Sequence, residues 1–280
     1  MRLICKLEFV KTFRGFFLAA LLVGSAAAFT QKTGEARPPR LPEGYAGILI
    51  APPRYELVLA PDERVRKEFA ILAKGYRRTI TTEVAVMDWT ENSEGGLVPL
   101  DPGSNPYSAA SWIRVALDPL SLKPDEPISV PFEVVVPKEP LEGSYWAAIT
   151  FTTKPAPVKN KRGVAVVNRL RIWGIVYVTI AGTEKPEAEI QNFAINKNTI
   201  VLDVVNKGNV YLRLHPELYF WDAKGEVVQS KKLPEKVLLR EGLIRYLIPL
   251  KEAPKEAVVA SVQVEAKGLI SPLYAEVALR

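Results

Sequence analysis

The sequence is poor in the residues that carry chemistry. Among 280 residues there is one cysteine, Cys5, and one histidine, His215. A single histidine excludes a multi-histidine metal centre. Beside Pro216, His215 reads as a structural or solvent-facing side chain at a strand–turn edge. Cys5 stands ahead of the first apolar run, so the chain beyond it has no thiol at all. That excludes a cysteine nucleophile, a thiolate metal site and any disulfide there, and leaves core burial to hold the fold together. There is no G-x-S-x-G, no P-loop and no G-x-G-x-x-G. Asp88, Glu91, Glu94 and Asp101 gather loosely in one stretch. A calcium loop or a carboxylate pair is conceivable there, and the plainer reading is a solvated hairpin loop. A glycosidase would need two carboxylates held in a sugar cleft, and no such cleft is signalled. The residues therefore point away from an enzyme and away from a bound cofactor.

Long apolar runs are missing too. The longest, Phe16 to Val23, is short of the roughly 20 residues that a membrane span requires. It follows Arg2, Lys6, Lys11 and Arg14 and precedes Ser25-Ala26-Ala27-Ala28, with Ala26 and Ala28 in A-x-A positions. Residues 1–28 therefore read as an export signal peptide, against the alternative of an uncleaved anchor. Export places the mature chain in the periplasm. The formal net charge of +6 lies partly in this leader, so the mature chain is only mildly basic and gives nucleic-acid binding no support. Residues 29–44 are polar and proline-bearing, a flexible mature N-terminus.

What is abundant is β signal. With 48% hydrophobic and 24% charged residues, the chain is globular. Arg54–Leu59, Val65–Leu72, Thr79–Trp89, Ser111–Leu117, Ile128–Val136 and Ser144–Thr153 alternate or run apolar between Gly, Pro and Asp punctuation. Glu91–Asn105 reads as loop. No helical period stands out. Strands at this spacing predict an immunoglobulin-like sandwich over residues 45–181. After Ala181–Pro186 a second series from Ala188 to Leu279 predicts another sandwich over 184–280. The fold class is thus all-β, two immunoglobulin-like sandwiches in tandem behind a signal peptide.

Gly163 to Gly182 is too long for one ordinary strand. Val164, Val166, Leu170, Ile172, Val176, Val178 and Ile180 share one face, interrupted by Asn168 and Gly174. Arg169, Arg171, Trp173, Ile175, Tyr177 and Thr179 share the other. Its second half reads as sandwich core and its first half, Val164 to Arg171, as the part that meets a partner. Trp89, Trp112, Trp146 and Trp173 read as core filling. If the first and last strands of this sandwich are neighbours, Arg54 and Arg171, or Arg169 in its place, meet in one cleft and welcome a carboxylate from outside. The competing reading pairs Arg54 with Glu56 or another local acid.

In order and spacing, several segments resemble the PapD-like periplasmic chaperones of pilus assembly, in a divergent bacterial branch. They are Pro52-Pro53-Arg54-Tyr55-Glu56-Leu57, Val86-Met87-Asp88-Trp89, Ser108–Ile113, Gly143–Ala148 and the long strand itself. The resemblance covers roughly residues 47–180 and implies β-strand addition to exported, pilin-type subunits. It implies that Arg54 and Arg171, with Arg169 as neighbour, clamp the subunit's C-terminal carboxylate. It implies Val164, Val166 and Leu170 as donor-strand side chains, and an outer-membrane usher as a further partner. The second basic position is arginine where that family usually has lysine, and Asn168 interrupts the donor run. The main alternative is a structural or adhesive exported protein whose sandwiches act as spacers, with the arginines paired internally. A carbohydrate-binding module would need aromatics exposed on a concave face.

Overall fold

A computed structural model of the chain describes residues 46–154, 158–159, 165–166 and 169–279. The first series of strands is β1 Gly47–Ala51, β2 Arg54–Leu59, β3 Arg64–Lys74, β4 Ile80–Glu91, β5 Leu97–Leu100, β6 Ile113–Val115, β7 Leu120–Leu122, β8 Pro127–Val135 and β9 Ser144–Thr153. The backbone pairs β10 Val158–Lys159 and β11 Ala165–Val166 follow, then β12 Arg171–Ile180. One sheet has the order β1-β3-β8-β6 and the facing sheet β2-β12-β9-β4-β5, with β7 on β4. The core lies between them. Phe69 stacks on Phe132, with ring centroids 5.1 Å apart, and Tyr55 packs against both.

β1 and β2 are one chain direction divided between the two sheets. β1 pairs antiparallel with β3, and β2 pairs parallel with β12. Pro52-Pro53 makes the division, because neither residue has an N–H to carry a ladder across the step. Gly174 sits where β12 passes beneath this step. A Cβ there would lie 2.7 Å from the Phe69 ring and 2.9 Å from Ile50 Cδ1. Glycine is required by close approach at this point, and the inward face of β12 closes over it.

The second series is β13 Ala188–Asn196, β14 Thr199–Asn206, β15 Leu212–Trp221, β16 Val227–Lys232, β17 Lys236–Leu238, β18 Leu243–Pro249, β19 Val259–Glu265 and β20 Leu273–Ala278. Its sheets run β13-β14-β18 and β16-β15-β19-β20, with β17 on β15. The chain is therefore all-β with two sandwiches in tandem, as its alternation predicts.

Three local expectations change. Ser111–Leu117 is not one strand: Ala110–Trp112 is a 3₁₀ turn, with the Ala110 N–H donating to Ser108 Oγ at 3.0 Å, and only Ile113–Val115 is extended. Glu91–Asn105 is not all loop, since β5 pairs with β4. The acids there are not simply solvated. Asp88 is fully buried and accepts hydrogen bonds from the Gly103 and Asn105 amides and from Ser108 Oγ.

The two sandwiches meet along an aromatic seam. Trp89, Trp146 and Tyr177 leave the outward face of the β12 sheet and bury against Leu239, with Trp173, Ile175, Tyr211 and Val237 around them. Tyr177 stacks on Tyr211 at 4.3 Å. The Ser144 N–H donates to the Asn209 carbonyl at 2.9 Å, and Asn209 Nδ2 donates to the Thr183 carbonyl. Gly143, at φ +76°, brings its backbone so close that a Cβ would stand 2.1 Å from the Asn209 oxygen. The turn after β4 completes the seam: Glu91 Oε1 accepts the Leu239 N–H at 2.7 Å, and the Ser93 carbonyl accepts the Arg245 N–H.

Candidate functional site

β12 is flanked on its whole length by β9, in register from Arg171↔Thr152 to Thr179↔Ser144. On its other side β2 covers only Ile175 to Ile180. The ladder stops at the Ile175 N–H, which donates to the Pro53 carbonyl at 3.2 Å. One register further up, the partner of the Trp173 carbonyl would be the N–H that Pro53 lacks. Hydrogen-bonding directions alternate along a strand. The amides of Arg169, Arg171 and Trp173 share the direction of Ile175, so they face outward past the end of β2. Among the described residues the upper half of β12 is an open edge and the lower half is closed.

Side chains on this edge fall on two faces. Leu170 belongs to the inward face with Ile172, yet it is 40% exposed. Its backbone is held by Thr153, whose N–H donates to the Leu170 carbonyl and whose Oγ1 accepts the Leu170 N–H. Arg169, Arg171 and Trp173 occupy the outward face. Arg171 Nε donates to Thr152 Oγ1 at 3.1 Å, and its guanidinium stands 5.9 Å from the Trp173 ring. No carboxylate reaches Arg171 among the described residues. Arg169 Nη2 lies 3.8 Å from Glu83 Oε2, a carboxylate that it shares with Lys154.

Arg54 registers opposite Ile175, so it shares the outward face with Arg171. The two stand four residues apart in register, about 13 Å at about 3.3 Å per residue, and each is held by its own partner, Arg54 by Glu56 and Arg171 by Thr152. Arg54 Nε donates to Glu56 Oε1 at 2.8 Å. Glu56 also accepts from Arg213 Nε at 2.8 Å, and Arg213 Nη1 donates to Glu235 at 2.9 Å. Burial works against the Glu56 charge, but the Arg54 hydrogen bond and the Arg213 charge hold its carboxyl below the usual range. The local-acid reading of Arg54 is thus what the geometry has, in a chain of alternating charges that ties the first sandwich to the second. Of the donor-strand side chains, Leu170 stands on the edge. Val164 lies outside the described residues, and Val166 is described only as backbone pairing with Val158.

Sequence reasoning missed two features here. Pro53 reads in the sequence as a strand stop, and its effect on a neighbouring strand, ending the β2–β12 ladder for want of an N–H, has no local signal. Arg213 had no local signal, since its partner Glu56 is 157 residues away. Trp112 fills the sandwich core as expected, while Trp89 and Trp146 fill the seam. His215 is exposed, 3.8 Å from Glu235. No group of acids and histidines suited to a metal ion occurs among the described residues. No helix among them is long and apolar enough to cross a membrane.

No family model matches the chain, and no curated protein is similar to it. Solved structures are similar in arrangement. A chain from a chaperone–tip adhesin complex of CFA/I fimbriae biogenesis is 9% identical, with a TM-score of 0.45 over 83% of this chain and 98% of that one. The E. coli chaperone DraB is 12% identical, with a TM-score of 0.43 over 84% and 98%. A chain from the Salmonella enterica SafA pilin in complex with the SafB chaperone is 9% identical, with a TM-score of 0.43 over 82% and 96%. At these identities and TM-scores the likenesses carry no argument about function.

Proposed function

We propose that this chain is a non-catalytic, chaperone-like protein of the periplasm that holds exported, pilin-type subunits by β-strand addition at the open half of β12. The observation that carries the reading is the end of the β2 ladder at Ile175. It leaves the outward-facing amides of Arg169, Arg171 and Trp173 beside the exposed Leu170. An unpaired strand edge with an unfilled apolar position is the element that strand addition uses. Arg171 is the first candidate for a subunit carboxylate, with Arg169 beside it. Arg54 would join them only by exchanging Glu56 for the incoming group. Leu170, with Val164 and Val166 upstream in the chain, supplies the donor side chains. The leader accounts for the compartment, and an outer-membrane usher is a further partner of the same reading.

The test is capture of a purified exported subunit by the full chain. Arg171→Pro removes one N–H from the open side and none from the β9 side, and should lower capture at least about tenfold. Arg54→Ala should lower it less. Capture that survives both substitutions sinks the reading.

A second reading is favoured by one observation. The chain Arg54–Glu56–Arg213–Glu235 neutralises Arg54 internally and braces the seam. On that reading the sandwiches are rigid spacers of a structural or adhesive exported protein. No subunit would then be captured, and Glu56→Gln would change only stability.

A further inference from the structure

The pole of the first sandwich where β12 begins is unequally charged. It is built from the β3–β4 turn, the β7–β8 turn and the upper ends of β9 and β12. Its acids among the described residues are all taken. Asp125 pairs with Lys74 at 2.6 Å, Glu126 with Lys123 at 3.5 Å, and Glu83 serves both Lys154 and Arg169. Arg77 and Arg78, both exposed in the β3–β4 turn, make no ion pair among the described residues, and neither does Arg171. A surplus of cations therefore surrounds the open edge, and two of them, Arg169 and Arg171, project from the edge itself.

The two faces of that edge set a pattern. On a strand laid alongside, residues directly opposite share a face, and successive residues alternate. Every second side chain of an added strand would join Leu170 and Ile172 on the inward side. The side chains between would join Arg169, Arg171 and Trp173. Opposite charges facing each other across a strand pair stabilise it, and like charges oppose it.

We propose that the segment accepted at this edge is an acidic, alternating strand, with apolar side chains at every second position and carboxylates between them. This deepens the strand-addition reading and rests on it. The arginines select the outward residues by charge, Leu170 and Ile172 select the inward ones by burial, and the surplus charge of the pole speeds the encounter. The same arginines repel a basic strand, so the edge is closed to one class of partner while open to the other.

The experiment uses the full chain and labelled peptides of about ten residues, alternating Val-Glu, Val-Ser or Val-Lys. Binding is read by fluorescence anisotropy, and position by amide hydrogen exchange at Arg171 and Trp173. The expected result at about 0.02 M salt is Val-Glu roughly fivefold to tenfold tighter than Val-Ser, with Val-Lys weakest. The Val-Glu advantage should shrink at about 0.3 M salt. Arg169→Glu with Arg171→Glu should invert the order, so that Val-Lys binds best. Arg171→Gln alone, a milder change at an exposed position, should reduce the advantage without inverting it. If Val-Ser or Val-Lys protects the two amides as well as Val-Glu does, the acidic strand is wrong and strand addition stands. If no peptide slows exchange at Arg171 and Trp173, strand addition at this edge fails and takes the acidic strand with it.

Discussion

Two of the sheet edges among the described residues make a contrast, the upper half of β12 and the β18 strand, and only the second is stopped. On β18 the Arg245 N–H is taken by the Ser93 carbonyl and its carbonyl by Lys236 Nζ at 2.8 Å. The strand then runs into Pro249, which has no N–H. These are the devices by which sheet proteins protect an edge: a lysine, a proline and a covering loop. On β12 the proline stands in the neighbouring strand instead. Pro53 does not block the edge but deprives the Trp173 carbonyl of a partner and ends the ladder there. The same residue type thus closes one edge and opens the other, according to which strand carries it.

The largest expected effect comes at the residue where the closed and open halves of β12 join. Gly174→Val would drive its Cβ into the Phe69 ring and Ile50. Overpacking of this kind should cost about 3 kcal/mol, read as a lower denaturant midpoint. It should also loosen β12 against β2 and so lengthen the open edge, seen as faster amide exchange at Ile175. A variant as stable as the parent would mean that the halves are not divided by close packing.

The plug on β18 can be loosened through pH. Glu91 anchors the turn that carries Ser93. Burial pushes its carboxyl up to about 7, against the opposing effects of the Leu239 N–H and the Lys236 charge. A raised acid pKa means that the folded chain keeps a proton which the unfolded chain releases. Stability should therefore fall as pH rises from about 4.5 to about 7 and level off above, by on the order of 3 kcal/mol. Glu91→Gln should flatten that stretch of the pH–stability curve while keeping an acceptor for Leu239. A slope that persists in the variant would assign it to another group.

How much of this was legible in the sequence depends on how far apart the partners lie. The apolar run of Ser144–Thr153 and the two faces of β12 were readable from near neighbours in the chain. Asp88 and Glu91 were not. Their donors come from Gly103, Asn105 and Ser108 in one case and from Leu239 in the other, and an acid in a Gly-rich stretch looks solvated until those donors arrive. The outward face of β12 was half legible. Its arginines were visible, but nothing local says that Tyr177 would be covered by Tyr211 while Arg171 stays open. The distance between Arg54 and Arg171 was not legible, because the sequence shows which strands carry the arginines and not how far one slides along the other.

Removing the lysine that caps β18 tests its protection directly. Lys236→Ala frees the Arg245 carbonyl and uncovers the Tyr246 ring, over which the ammonium stands at 4.5 Å. The stability loss should be only about 1 kcal/mol, since the group is partly exposed. The sharper readout is self-association, because an unplugged edge pairs with its own copy. Sedimentation should show dimer in the variant and not in the parent, and an unchanged distribution would leave Pro249 and the Ser93 loop as sufficient protection.

The smallest effect is expected at Leu170. If the open edge of β12 is kept for a partner, its apolar side chain contributes little to the free protein. Leu170→Ser should shift stability by no more than about 0.5 kcal/mol, as for other exposed sites. Three inward positions further down, Val176→Ser removes a fully buried side chain and should cost several kcal/mol. Chemical denaturation of the two variants side by side measures this contrast within a single strand. Equal losses would mean that Leu170 is already packed against something, and that the open half of β12 is not open.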